Sequence, residues 1–241
     1  MMQQVADNTY RLGTSGHNYY VLRDGDQVTV LDAGCSKEWS KLMVGLDSIG
    51  LSLESISGIV ATHSHADHLG MAKEASSHGV SISVHEAEES RALGTYTGRY
   101  AVKPTELPIF NFRMWKNFFP MFRAGVMRFE HVEQVGTFTD GETLDLPGNP
   151  VAVHTPGHTE GHSMFHLGEQ GMLFTGDGLV TMDLLGSGRG PQLMERRFHN
   201  DPQAAKESLD RIVGLDASLL LPGHGSPWSG TPAEAVALAK A

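Results

Sequence analysis

Short apolar runs of strand length recur along this chain, and each stops at a small cluster of Gly, Asp, His or Pro. Residues 27–31 run into Asp32-Ala-Gly, 56–62 into His63, 151–155 into Pro-Gly-His158, 171–175 into Gly-Asp177, and 218–221 into Pro-Gly-His224. Between them, residues 37–46, 69–78 and 201–213 carry a helical period. The last of these is the best marked. Asp201 suits an N-cap with Pro202 at the first helical position, and Ala205, Leu209, Ile212 and Val213 recur on one face. Strands alternating with helices predict an α/β chain whose polar chemistry gathers at one end of the strands.

Composition narrows this picture. A length of 241 residues with 40% hydrophobic positions suits one domain spanning 1–241. No run approaches the roughly 18 apolar residues of a membrane span, so no transmembrane segment is expected. The first ten residues lack the basic start and apolar stretch of a secretory signal, which predicts a cytoplasmic protein. A single cysteine, Cys35, excludes an internal disulfide and reads as a packed thiol in a reducing compartment. The formal charge of −10 argues against a phosphate-backbone binder, so no nucleic-acid partner is expected.

The run Thr62-His63-Ser-His65-Ala-Asp67-His68 sets four metal-competent side chains within six residues, and imidazole with carboxylate is the ligand set of zinc and related ions. Alternate side chains of an extended segment point the same way. His63 and His65 can therefore reach one ion while Asp67 and His68, at the turn into the next helix, reach another. A lone histidine is usually a solvated or packed side chain, but four clustered ligand types reverse that reading. His158, Asp177 and His224 follow separate apolar runs beside Gly or Pro and complete seven candidate ligands.

In these motifs, Leu-Asp32-Ala-Gly, His63-x-His65-x-Asp67-His68, Pro-Gly-His158, Gly-Asp177 and Pro-Gly-His224, the chain resembles the metallo-β-lactamase superfamily across residues 31–225. The resemblance implies a four-layer αβ/βα sandwich, two mixed β-sheets with helices on the outer faces and the metals in a cleft at one edge. It implies that His63, His65 and His158 hold one metal, that Asp67, His68 and His224 hold the other, and that Asp177 bridges them. Asp32 matches a position that orders the metal-bearing loop, as a buried hydrogen-bonded carboxylate would. His162, in Pro-Gly-His158-Thr-Glu-Gly-His162, is placed behind the site as an outer hydrogen-bond donor. His17, His78, His85, His131, His154, His166 and His199 default to structural or surface roles.

Two Zn²⁺ ions per chain are therefore expected, with iron or manganese as the other ions such a set accepts. Paired divalent ions bring a bridging water toward neutral pKa, so the expected activity is hydrolysis of an acyl bond (ester, thioester, lactone or lactam) with a metal-bridging hydroxide as nucleophile and Asp67 and Asp177 as catalytic groups. The expected partner is a small-molecule acyl substrate. Glyoxalase II-like, lactonase-like and β-lactamase-like branches all share these motifs. Only seventeen residues follow His224, which argues against a glutathione-binding helical extension. The alternative is a persulfide dioxygenase-like oxidoreductase with one iron, since that branch resembles the chain at 62–68.

Residues 94–130 stand apart. They hold nine of the eighteen aromatic residues, and residues 99–128 carry six Lys/Arg against Glu106 alone, a local +5 that leaves −15 elsewhere. One reading is a helical pair packed on the sandwich, or a homodimer contact, supported by the spacing of Phe110, Met114, Phe118 and Met121. The other is a lid that binds substrate through Arg99, Phe110, Arg113, Trp115, Phe118, Phe119 and Phe122. Pro120 predicts a break into two short helices or a helix and a loop.

Overall fold

The computed structural model describes residues 2–98, 111–185 and 189–241, with Arg113 and Arg189 described in backbone only. One mixed sheet runs in chain order: β1 (Gln3–Ala6), β2 (Thr9–Gly13), β3 (Asn18–Asp24), β4 (Gln27–Leu31), β5 (Ile56–Val60), β6 (Ile82–His85) and β7 (Gly136–Phe138). It is antiparallel as far as β4 and parallel from β4 to β7. A second mixed sheet contains β8 (Val151–His154), β9 (Ser163–Leu167), β10 (Met172–Gly176), β13 (Leu219–Pro222) and β14 (Trp228–Ser229), in the order β14-β13-β10-β9-β8. A hairpin of β11 (Val180–Met182) and β12 (Arg189–Gln192) stands beside it.

Strand alternation sorts the apolar residues into layers. Tyr20, Leu22, Leu31 and Val60 of the first sheet meet Phe165, Leu167, Met172, Phe174 and Leu221 of the second. Their neighbours point the other way. Tyr19, Val21, Val28, Val30 and Ile59 pack under α1 (Trp39–Asp47) and α2 (Ala72–Ser77). On the far side, Met164, Leu173 and Leu220 pack under the turn Leu209–Ile212 that follows α5 (Pro202–Ser208) and under α6 (Pro232–Lys240). Three apolar interlayers separate four layers, so the fold is the αβ/βα sandwich. Strands buried on both faces read as continuous apolar runs, which is why the sequence pattern found them.

Local signals act as the sequence predicts at most boundaries. Asp201 caps α5, its carboxylate accepting from the Gln203 and Ala204 amides at 3.0 Å each. The helical pattern at 201–213 nevertheless divides into α5 and a 3₁₀ turn at Leu209–Ile212. A 3₁₀ turn at Glu86–Glu88 leads from β6 into the short helix α3 (Glu89–Ala92). The helix α4 (Phe112–Ala124) runs continuously through Pro120, contrary to the predicted break. Proline forfeits one hydrogen bond to the carbonyl four residues earlier, on exposed Lys116, where water can serve. Met114 and Met121, both buried, offset the remaining cost.

Candidate metal centre

The polar ends of β4, β5, β8, β10 and β13 lie together at one edge of the sandwich and deliver the seven predicted side chains to one place. His63 Nε2 lies 2.9 Å from His65 Nδ1, which lies 3.0 Å from His158 Nε2. Three imidazole nitrogens around a tetrahedral zinc would sit about 3.3 Å apart, so this triangle is of metal-binding size. Asp67 Oδ2 lies 3.7 Å from His68 Nε2 and 3.5 Å from His224 Nε2, a second triangle. Asp177 joins the two: its Oδ2 is 3.5 Å from His158 Nε2 and 3.0 Å from His224 Nε2, and its Oδ1 is 3.3 Å from His68 Nε2. His68 Nε2 and Asp177 Oδ1 are buried and make no hydrogen bond. Buried polar atoms are rarely left so, and cations among these donors would satisfy them.

The outer nitrogens of His63, His68 and His224 are held. Asp32 adopts φ 64°, a left-handed conformation that costs energy for a residue with a side chain. Its Oδ1 accepts from the Thr62 amide at 2.7 Å and hydroxyl at 3.0 Å, and its Oδ2 accepts from His68 Nδ1 at 2.8 Å. The same Thr62 oxygen lies 3.0 Å from His63 Nδ1. His224 Nδ1 donates to the Gly16 carbonyl. Each bond turns the Nε2 lone pair of its histidine inward. His162 differs from its expected role as donor: its Nε2 accepts from the amides of Asp177 and Gly178, both at 3.1 Å, and it donates only toward Thr155 Oγ1 at 2.9 Å. Burial pushes its pKa down to about 3, which keeps it the neutral acceptor this turn requires. Gly223 completes the packing, since a Cβ there would sit 2.4 Å from Asp177 Oδ1.

Burial also lowers His63 and His158 well below the usual histidine value and brings His65 to about 4. His68 and His224 move the other way. Burial opposes their charge, but the Asp177 carboxylate and its neighbours outweigh it and raise both. In the metal-free protein the first triangle is thus already deprotonated, whereas an ion entering the second must displace protons. Binding of a divalent ion to Asp67, His68 and His224 is expected to weaken as pH falls through the raised pKa values of His68 and His224 and to release protons, while binding at His63, His65 and His158 stays nearly flat over the same range. Calorimetric titration in buffers of different ionisation enthalpy checks this; equal pH slopes for both sites would contradict it.

Above the centre lies a cleft of about 280 Å³, floored by His65, Asp67, His158, Asp177 and His224 and walled by Phe118, Met121, Val126, Met127, Leu184, Met194 and Phe198. Of the substrate contacts expected from sequence, Phe118 lies in the wall. Trp115, Phe119 and Phe122 are exposed and absent from it. Arg99 and Phe110 lie outside the described residues, as does the side chain of Arg113. Met121 and Met127 belong to the aromatic stretch marked in the sequence, whereas Leu184, Met194 and Phe198 carried no signal beyond apolarity and come from a distant stretch. Of the remaining histidines, His17 is buried 2.5 Å from Glu38, and His199 is buried with its ring 5.5 Å from that of His158. Cys35 is buried and its thiol pKa is raised by that burial.

The fold and this convergence of side chains set metal-ligating groups at one edge of an αβ/βα sandwich. The Metallo-beta-lactamase superfamily model matches residues 12–224, and the chain belongs to that family. Among curated relatives, it is 28% identical over 183 residues to the "Probable metallo-hydrolase YflN" of Bacillus subtilis (strain 168), covering 73% of this chain and 66% of that protein. It is 25% identical over 228 residues to the "Atrochrysone carboxyl ACP thioesterase" of Aspergillus fumigatus, covering 94% and 56% respectively. The chain thus spans between about half and two thirds of the length of these two relatives. Its fold superposes with a TM-score of 0.69 on a metallo-beta-lactamase family protein of Thermus thermophilus, at 24% identity, covering 98% of this chain and 79% of that one. Among the described residues, no helix is long and apolar enough to cross a membrane.

Proposed function

We propose that the chain is a two-zinc hydrolase of esters or thioesters with a small, uncharged apolar acyl group. The observation that carries this reading is the gathering of seven ligand-type side chains, five of them on the floor of a cleft with Phe, Met and Leu walls. His63, His65 and His158 would hold one ion, Asp67, His68 and His224 the other, and Asp177 both. Bound there, two divalent ions supply a nucleophile from water near neutral pH and stabilise charge developing on the scissile carbonyl. The protein does the rest. Asp177 is anionic: despite burial, His224 and His68 hold its carboxyl well below the usual range. Asp67, which lines the cleft floor, would pass a proton toward the leaving atom.

The cleft decides the acyl group. Among the described residues its lining contains no lysine or arginine, so nothing there rewards a carboxylate on the acyl side, whereas apolar chain is rewarded by removal from water. Two relatives are named as thioesterases, which supports thioesters as the first substrates to test.

Chelator-treated protein is expected to lose hydrolysis of acyl thioesters and to regain it with Zn²⁺, with two equivalents bound. A series from acetyl to hexanoyl adds four methylenes at about 0.8 kcal/mol each when fully buried, so kcat/KM should rise at least about tenfold. Full activity without metal would refute the reading, and a preference for acetyl or succinyl would refute the acyl assignment. One iron per chain with oxygen consumption on a persulfide would replace hydrolysis by the dioxygenase chemistry.

A further inference from the structure

We infer that Glu88, a residue outside every recognised motif, is the positioning residue of the first metal triangle; this rests on the two-zinc reading above. Glu88 is wholly buried at the start of α3, and its two carboxylate oxygens serve different loops. Oε2 accepts from the Ser64 amide at 2.9 Å, and Oε1 accepts from the Gly161 amide at 2.9 Å. Ser64 lies between His63 and His65. Gly161 lies between His158 and His162. One carboxylate therefore ties together the two backbone segments whose imidazoles make the first triangle, and it sits behind them rather than in the cleft.

The approach is close by construction. A Cβ on Gly161 would stand 2.7 Å from Glu88 Cγ and 2.9 Å from the Glu88 backbone nitrogen, so only glycine lets this loop lie on the start of α3. The same loop is tied a second time, through Glu160, which accepts from Arg91 Nη2 at 2.6 Å and from the Tyr96 hydroxyl at 2.8 Å. Those two bonds hold only the 158–162 loop, whereas the Glu88 carboxylate spans both segments. The second triangle has separate supports, Asp32 for His68 and Gly16 for His224. Loss of Glu88 should accordingly loosen one site and spare the other.

Glu88→Gln keeps the volume but can accept only one of the two N–H groups, turning its own NH₂ against the other. Zinc titration against a chromophoric chelator, with His158→Ala to identify the first-site phase, should show that E88Q weakens the first site by about 10- to 100-fold while the second changes less than about threefold. Gly161→Ala, which pushes the loop off Glu88 and leaves the carboxylate intact, should give the same split. Thermal melting of the metal-free variants separates this from a general structural role, which would lower both affinities together. Equal losses at both sites, or none, in folded E88Q or G161A would overturn the inference. Fewer than two equivalents on the unmodified protein would instead overturn the two-zinc reading, and the role of Glu88 would still be decided by whether the ion at His63, His65 and His158 is weakened.

Discussion

Asp177→Asn is expected to abolish turnover, by about 10³-fold or more, and to reduce bound zinc below two per chain. Among the described residues the Asp177 carboxylate is the group that approaches both triangles, with Oδ2 within 4.0 Å of His63 Nε2, 3.5 Å of His158 Nε2 and 3.0 Å of His224 Nε2. Asparagine keeps its shape, but its amide nitrogen cannot ligate a cation and the buried negative charge is gone. Two consequences follow from that charge. The ions lose a shared ligand, and His68 and His224 lose the main influence that raises their pKa. Elemental analysis with kcat on the folded variant checks the first, and imidazole NMR titration of the metal-free protein checks the second. A variant with two zinc ions and normal turnover would exclude Asp177 as the bridge.

Asp32 gives the second large effect, and two substitutions there should separate stability from chemistry. Asp32→Ala strands the Thr62 amide, the Thr62 hydroxyl and His68 Nδ1 in a buried site, for a loss of about 3 kcal/mol in folding stability as well as loss of the second ion. Asp32→Asn is subtler. Its amide oxygen can still accept from Thr62, so most of the stability should remain. Its NH₂ then faces His68 Nδ1, which can pair with it only as an acceptor. The His68 proton must move to Nε2, the atom aimed at the second ion. Near-normal melting, zinc falling to one equivalent and an imidazole ¹⁵N shift marking the reversed tautomer are the expected results; retention of two tightly bound ions would show that Asp32 does not set the tautomer.

Much of this was legible in the chain because the two signals are local. Strands buried on both faces leave apolar runs, and turns at their ends need Gly, Pro or Asp, so β4, β5, β8, β10 and β13 announce themselves together with the residue that follows each. The cleft was not legible in the same way. Period alone gathers the aromatics of α4 on one broad arc, and it marks neither the part turned to the metals nor its partners Leu184, Met194 and Phe198 from a remote stretch. Pro120 misled for a related reason: its local penalty is real, but burial of Met114 and Met121 outweighs it.

Residue order by itself determined the ligand types, their placement at strand ends and hence a metal-bearing edge on a four-layer α/β sandwich, since side-chain chemistry and strand periodicity are properties of the chain. Tertiary structure alone decided how those ends are held. Asp32 reaching Thr62 and His68, Gly16 reaching His224, and Glu88 joining Ser64 to Gly161 are contacts between segments 24 to 208 residues apart. Such contacts leave no periodic trace, because hydrogen-bond geometry at this range is fixed by how the layers pack and not by any spacing along the backbone.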